Sequence, residues 1–309
     1  MRPVASHIVA FSFMVAVLIA WQSPIVRAAP AQITNDPAMD YLPAWSPDGS
    51  KIAFDSDRSG NMDIWVIPAT GGMAVQITTD PGSDFAPAWS PDGSQIAFHS
   101  GRSGNSDIWV IPATGGVPTQ ITTDPGSDNG ATWSPDGSQI AFHSHRSGNY
   151  DIWAIPAAGG IATQITTDPG SDLFAAWSPD GSRIAFYSSR SGNGDTWVIP
   201  ATGGMATQIT TDPGDDVFAA WSPDGSQIAF ASDRSGNSDI WVIPAAGGIA
   251  TQITTDPGSD AWPAWSPDGS QIAFGSDRSG NDDIWVTCVG GPSATEESTW
   301  GHIKAEFAE

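Results

Sequence analysis

W-S-P-D-G-S-Q-I-A-F-H-S-G-R-S-G-N-S-D-I-W-V-I-P-A-T-G-G-V-P-T-Q-I-T-T-D-P-G-S-D, from Trp89 to Asp128, is the stretch that decides how this chain folds. Almost everything between residues 31 and 291 is a copy of it. The tryptophans that open the copies, Trp45, Trp89, Trp133, Trp177, Trp221 and Trp265, follow one another at 44-residue intervals without insertion or deletion. A fixed period of this length marks a repeat architecture.

Within the unit, Ala86 to Trp89, Gln95 to Ser100, Asp107 to Pro112 and Thr119 to Thr122 are short apolar runs. They are separated by S-P-D-G, R-S-G-N, A-T-G-G and T-D-P-G-S-D. Each separator is rich in Gly, Pro, Asn and Asp, which supply positive φ, a preset φ or an Asx hydrogen bond, so each reads as a turn. No run has helical spacing over a useful length. One unit is therefore four short antiparallel strands, and six units in tandem predict an all-β, six-bladed β-propeller.

The ends of the array support closure. The last copy stops after Gly290 and Gly291 and lacks its fourth strand, while Ala31, Gln32, Ile33 and Thr34, ahead of the first tryptophan, match Thr119 to Thr122. Pairing this N-terminal strand into the last blade hides two sheet edges that would otherwise invite aggregation. The string W-S-P-D-G-S-x-I-A-F, then R-S-G-N-x-D-I-W, then Q-I-T, resembles the WD-repeat-like propeller unit of TolB-type periplasmic proteins. The same unit occurs in the non-catalytic propellers of prolyl oligopeptidase and tricorn-type proteases. The resemblance covers residues 31 to 291. It implies a role in the cell envelope, with a protein partner that is peptidoglycan-associated. The α/β domain that precedes the propeller in TolB-type proteins is expected to be missing, because the array begins almost at the expected cleavage point.

That cleavage point closes residues 1–28, which read as a secretory signal peptide: Arg2, an apolar run from Ile8 to Trp21, and a polar stretch ending Val26-Arg27-Ala28 with small residues at the cut after Ala28. The apolar run is too short to span a bilayer comfortably, so a periplasmic or secreted protein without stable membrane insertion is expected. The propeller then occupies 29–291, and 292–309 form a C-terminal tail in which Trp300, Ile303 and Phe307 fall on one side of a short amphipathic helix. The single cysteine, Cys288, stands where other copies have proline, and permits no intramolecular disulfide.

Acidic residues outnumber basic ones 34 to 11, for a net charge of -23. Such a field repels phosphate backbones, which argues against nucleic acid and favours cations and basic protein surfaces. Most of the aspartates are turn chemistry. Asp40, Asp84, Asp128, Asp172, Asp216 and Asp260 begin the first strand of each copy, the strand nearest a propeller's axis. Two readings of these six follow: hydrogen bonds to the backbone of their own turn, or a channel-mouth ring that recruits Ca²⁺. The arginines of R-S-G-N, Arg102 among them, are expected to tie the loop to the aspartate five residues on, Asp107 for Arg102. The paired tryptophans are expected to fill the gap between blades.

Recognition is sought where the copies differ. After the first-strand aspartate come Tyr41-Leu42, Phe85-Ala86, Asn129-Gly130, Leu173-Phe174, Val217-Phe218 and Ala261-Trp262. After the second-strand phenylalanine come Asp55, His99, His143, Tyr187, Ala231 and Gly275. These positions place Tyr41, Phe85, Phe174, Phe218, Trp262, His99, His143 and Tyr187 as a partner-binding set around one mouth of the channel. His99, His143 and His145 lack a fourth ligand for a zinc site. A G-x-S-x-G elbow, H-E-x-x-H and a P-loop are all missing from the sequence. The expectation is a monomeric, non-catalytic interaction scaffold that needs no cofactor. A carbohydrate-binding module using inter-blade pockets and a metal-dependent enzyme at the funnel are the alternatives.

Overall fold

The computed structural model describes residues 28–290. The expected signal peptide, apart from Ala28, and the tail 292–309 lie outside the described residues. Six four-stranded antiparallel sheets follow one another as blades. In blade two the strands are Asp84–Trp89, Gln95–Ser100, Asp107–Pro112 and Thr119–Gln120. Blade six takes its fourth strand, Ala31–Gln32, from the start of the array, with Ala31 opposite Val286 and Gln32 opposite Trp285. The expected closure is therefore present.

The core lies between blades rather than within them. Ala97, Ile108, Val110 and Ile121 of blade two pack on Ala131, Trp133, Ile140 and Phe142 of blade three. The same contact recurs across the seam, where Ile52, Phe54 and Ile67 meet Ala273, Ile284 and Val286. A second strand such as Gln95–Ser100 is thus covered on both faces, which is why I-A-F is apolar without alternation. The S-P-D-G turns touch in sequence around the ring. A Cβ on Gly93, at φ 71°, would lie 3.7 Å from Pro47 Cδ of the preceding turn, and Gly49 meets Pro267 in the same way across the seam.

Two local expectations are corrected. The fourth strand is two residues long, not four, because the Thr122 hydroxyl accepts the Ile108 N–H at 2.9 Å and donates towards Asp107, replacing the ladder with a side-chain cap. Arg102 does not clasp Asp107. It reaches back to Asp84, donating from Nη2 to both carboxylate oxygens at 2.7 Å, while Asp107 is bound by Ser103, Gln120 and Thr122. The guanidinium also lies over Phe98 and Trp109, 5.3 and 5.1 Å from their ring centroids. All six blades repeat this clasp, from Arg58 on Asp40 to Arg278 on Asp260.

The seam carries the same bonds between distant residues. Asp283 accepts Gln32 Nε2 at 2.9 Å and the Thr34 hydroxyl at 3.3 Å, and the Ile284 N–H donates to Thr34 Oγ1 at 2.9 Å. Asn281 donates to the carbonyls of Asp36 and Ala38, as Asn105 does to Asp124 and Gly126. The ring is closed by the chemistry that holds the fourth strand to the third in every other blade.

Candidate functional site

The innermost strand of every blade is bulged at one place. In blade two the register slips between Phe85 and Ala88, and the equivalent slip occurs in the other five. The third residue of the strand pays for the bulge with a left-handed backbone: Leu42 at φ 52°, Ala86 at 53°, Gly130 at 64°, Phe174 at 55°, Phe218 at 58° and Trp262 at 56°. Only Gly130 adopts this region without a steric cost, which for an L-residue is about 1–2 kcal/mol. Six such residues, one per blade, surround a central cavity of about 520 Å³ together with Asn129, His99 and His143.

This cavity is lopsided. Blades four, five and six contribute Phe174, Phe218 and Trp262, a continuous wall with centroid separations of 4.5 and 5.7 Å. Tyr41 extends it beyond Trp262 at 5.2 Å, and His143 meets Phe174 at 5.3 Å. At the same position blades one, two and three carry only Leu42, Ala86 and Gly130. A Cβ on Gly130 would come within 2.9 Å of the His143 imidazole, so the small residue is what lets that ring sit there.

Behind the low wall, the second strand of one blade accepts the bulge amide of the next. Asp55 Oδ1 takes the Ala86 N–H at 3.2 Å, His99 Nδ1 the Gly130 N–H at 3.5 Å, and His143 Nδ1 the Phe174 N–H at 3.4 Å. Burial lowers His99 to about 4 and His143, which also feels His99, to about 3. Both are neutral at pH 7, and with Nδ1 accepting, the proton sits on Nε2. Burial raises Asp55 well above the carboxylate range, and its Oδ2 is buried with no partner. His99 and His143 thus offer neutral polar rings to a cavity that also has an aromatic wall, a combination that suits a ligand with one apolar and one hydrogen-bonding side.

Of the expected partner-binding residues, Tyr41, Phe174, Phe218, Trp262 and His143 are brought together. Phe85 stacks at 5.4 Å on His99, which itself lines the cavity. Tyr187 stands apart: its ring lies over Gly194, where any side chain would collide with it. Burial, with Asp282 next in weight, pushes the Tyr41 hydroxyl up to about 12.

The expected aspartate ring is corrected. Asp40, Asp84, Asp128, Asp172, Asp216 and Asp260 are all fully buried, and each is neutralised by the arginine of its own blade. The bond goes to a guanidinium eighteen residues on, not to the turn backbone. Among the described residues no group of three or more His, Cys, Asp or Glu side chains is placed to hold a metal ion. Nor is any helix among them long and apolar enough to cross a membrane.

Sequence reasoning missed the left-handed bulge, for which Gly130 was the one visible sign. It also missed a set of exposed aliphatic side chains after the G-G turns, Met73, Val117, Ile161, Met205 and Ile249, which are 85–90% exposed. Their 44-residue spacing was the available signal.

Comparison with known proteins agrees with this architecture. The family model described as the TolB beta propeller domain matches residues 76–175 and 219–307, and that of the Tricorn protease N-terminal beta propeller domain matches 147–238. The structure of a putative TolB from Agrobacterium tumefaciens superposes with a TM-score of 0.67 at 24% identity, covering 84% of this chain and 93% of that one. TolB from Acinetobacter baumannii gives 0.65 at 21%, covering 82% of this chain and 64% of that one, so this chain spans under two thirds of its length. An oligogalacturonate lyase from Vibrio parahaemolyticus gives 0.59 at 15%, covering 84% of this chain and 93% of that one. These likenesses are of fold, and they include enzymes. A search of curated proteins finds no match. With the TolB model matching more than half of its length, the chain belongs to the TolB beta propeller domain family.

Proposed function

We propose that the protein is a non-catalytic interaction scaffold, exported to the cell envelope as a monomer, that grips a peptidoglycan-associated protein partner at the funnel mouth. The observation that carries this reading is the broken symmetry of the bulge position. Six blades share one backbone there, yet three carry large aromatic rings and three carry Leu, Ala and Gly. Holding Phe174, Phe218 and Trp262 in a left-handed conformation costs energy that the fold does not need, since Gly130 builds the same bulge freely. A half-buried aromatic cluster lining a concave cavity is the kind of anchor that recognition uses.

The test uses the mature protein as bait in an envelope extract, beside a variant with Phe174→Ala, Phe218→Ala and Trp262→Ala. The captured partner is then purified and its affinity for each bait measured by calorimetry. Loss of about 2 kcal/mol or more of binding in the variant is expected, as for a central aromatic cluster. Equal affinity for both baits would remove the funnel from the interaction. Export is checked separately by fractionating cells that express the full chain with a C-terminal tag.

A further inference from the structure

The clefts between blades, on the face of the disc that carries the S-P-D-G turns, hold a second set of recognition groups. Between blades three and four the cleft is about 740 Å³, with Trp177 at one wall and Asp136 and Asp180 at its rim. Between blades one and two the equivalent cleft, about 370 Å³, is lined by Trp89, Asp48 and Asp92, with Lys51 at the position of Gln139. The rim carboxylates are held ionised. Hydrogen bonds from Ser134 and Ser138 bring Asp136 down to about 2, and those from Ser178 and Ser182 do the same for Asp180.

One cleft shows what fits. Arg183 occupies the position that is Gln95, Gln139, Gln227 or Gln271 in other copies. Its guanidinium lies over the Trp221 ring of the next blade, 4.8 Å from the centroid, and its charge adds to the lowering of Asp180. The chain thus places a planar cation on the indole face, near a turn carboxylate, at the site that its neighbours leave to glutamine. Trp177 differs in a second way. Trp45, Trp89, Trp133, Trp221 and Trp265 each donate their indole N–H to an alanine carbonyl of the preceding blade. At the position of those alanines the blade before Trp177 carries Thr132, and Trp177 Nε1 is buried without a partner.

We propose that the inter-blade clefts, and first the one formed by Trp177, Asp136 and Asp180, are receptor sites for arginine side chains of a basic protein partner. The guanidinium stacks on the indole and faces the turn carboxylates, as Arg183 does on Trp221. A net charge of -23 steers such a partner towards the disc. Several near-equivalent clefts on one face add avidity to contacts that are weak singly. The site is distinct from the funnel and does not rest on the reading given for it.

The experiment follows indole N–H signals by NMR in the intact folded protein while N-acetyl-arginine amide is added, with N-acetyl-lysine amide and diacetylchitobiose as comparisons. The Trp177 signal is expected to shift with the arginine probe and to lose that response at high salt. Gln139→Arg copies blade four, fills the cleft from within and abolishes the response. Arg183→Gln empties the neighbouring cleft and makes Trp221 responsive. The funnel variant with Phe174, Phe218 and Trp262 replaced by alanine keeps the Trp177 response. A silent Trp177, a response that survives Gln139→Arg, or a shift with the sugar and not with the arginine probe overturns the proposal. Should Gln139→Arg fold poorly, Arg183→Gln and the pair Asp136→Asn with Asp180→Asn decide it alone: an unresponsive Trp221 in the first, or an undiminished Trp177 in the second, rejects the site.

Discussion

Asp55 is a carboxylic acid in a place where burial disfavours its charge, and with one oxygen unpartnered it holds its proton well above the usual carboxylate range. The folded state therefore binds a proton that the unfolded state has lost, so the stability linked to Asp55 is full below about pH 4 and is lost as pH rises above that. Asp55→Asn removes this dependence. The midpoint difference between variant and wild type in thermal unfolding should widen from pH 4 towards neutrality, and a constant difference would mean that Asp55 ionises normally. His99 and His143 act with the opposite sign. Their folded values of about 4 and about 3 lie below the unfolded one, so their contribution is full above about pH 6.5 and is lost as pH falls through that window. His99→Gln with His143→Gln should flatten the loss of stability between pH 6.5 and 4.5 by at least about 1 kcal/mol, measured by urea unfolding at stepped pH. An unchanged slope would place the acid sensitivity elsewhere.

At the scale of the strand and its turn, the arginine clasp dominates. Asp84 is fully buried, and without Arg102 its charge would have no counter-ion, so Arg102→Met should cost about 3 to 5 kcal/mol in denaturant unfolding. Adding Asp84→Leu should restore most of that, because an apolar pair replaces a buried ion pair at little cost. A double variant as unstable as the single one would show that the clasp acts through something other than charge. The clasp also marks where the sequence stops being legible. Strand order, turn positions and blade number follow from W-S-P-D-G and its period, because Gly, Pro and Asp impose local backbone states wherever they stand. The partner of Arg102 does not follow, since the choice between Asp107 and Asp84 depends on how a guanidinium crosses between strands. The funnel was half legible for the same reason. Variation named Phe174, Phe218 and Trp262, but their shared left-handed backbone was hidden by five residues that normally avoid it. Tyr187 looked equivalent to His143 by register and is diverted by the space above Gly194, a tertiary fact.

For the whole molecule, near-identical blades give a hazard and a weak point. Strands of one blade fit the edges of another, so refolding from denaturant at high concentration should yield swapped oligomers, and full recovery of monomer would argue against this. The weak point is the seam. Thr34 and Thr122 make the same bonds, to Ile284 and Asp283 in one case and to Ile108 and Asp107 in the other, with N–H to hydroxyl distances of 2.9 Å in both. The strand Thr119–Gln120 is joined to its partner by a tight A-T-G-G turn, whereas Ala31–Gln32 pairs with a strand some 250 residues away. Detaching Ala31–Gln32 therefore breaks no hairpin and can occur without unfolding a blade, while detaching Thr119–Gln120 works against its own turn. Thr34→Val and Thr122→Val should each lower global stability by a similar amount, about 1 to 3 kcal/mol. Hydrogen exchange should separate them: the Ile33 amide, which donates to the Ile284 carbonyl at 2.8 Å, should lose protection far more in Thr34→Val than the Ile121 amide does in Thr122→Val. Equal losses at the two amides would mean that the outer strand detaches with equal ease in both blades, and that the join at residues 31–34 is no weaker than the hairpin-linked one.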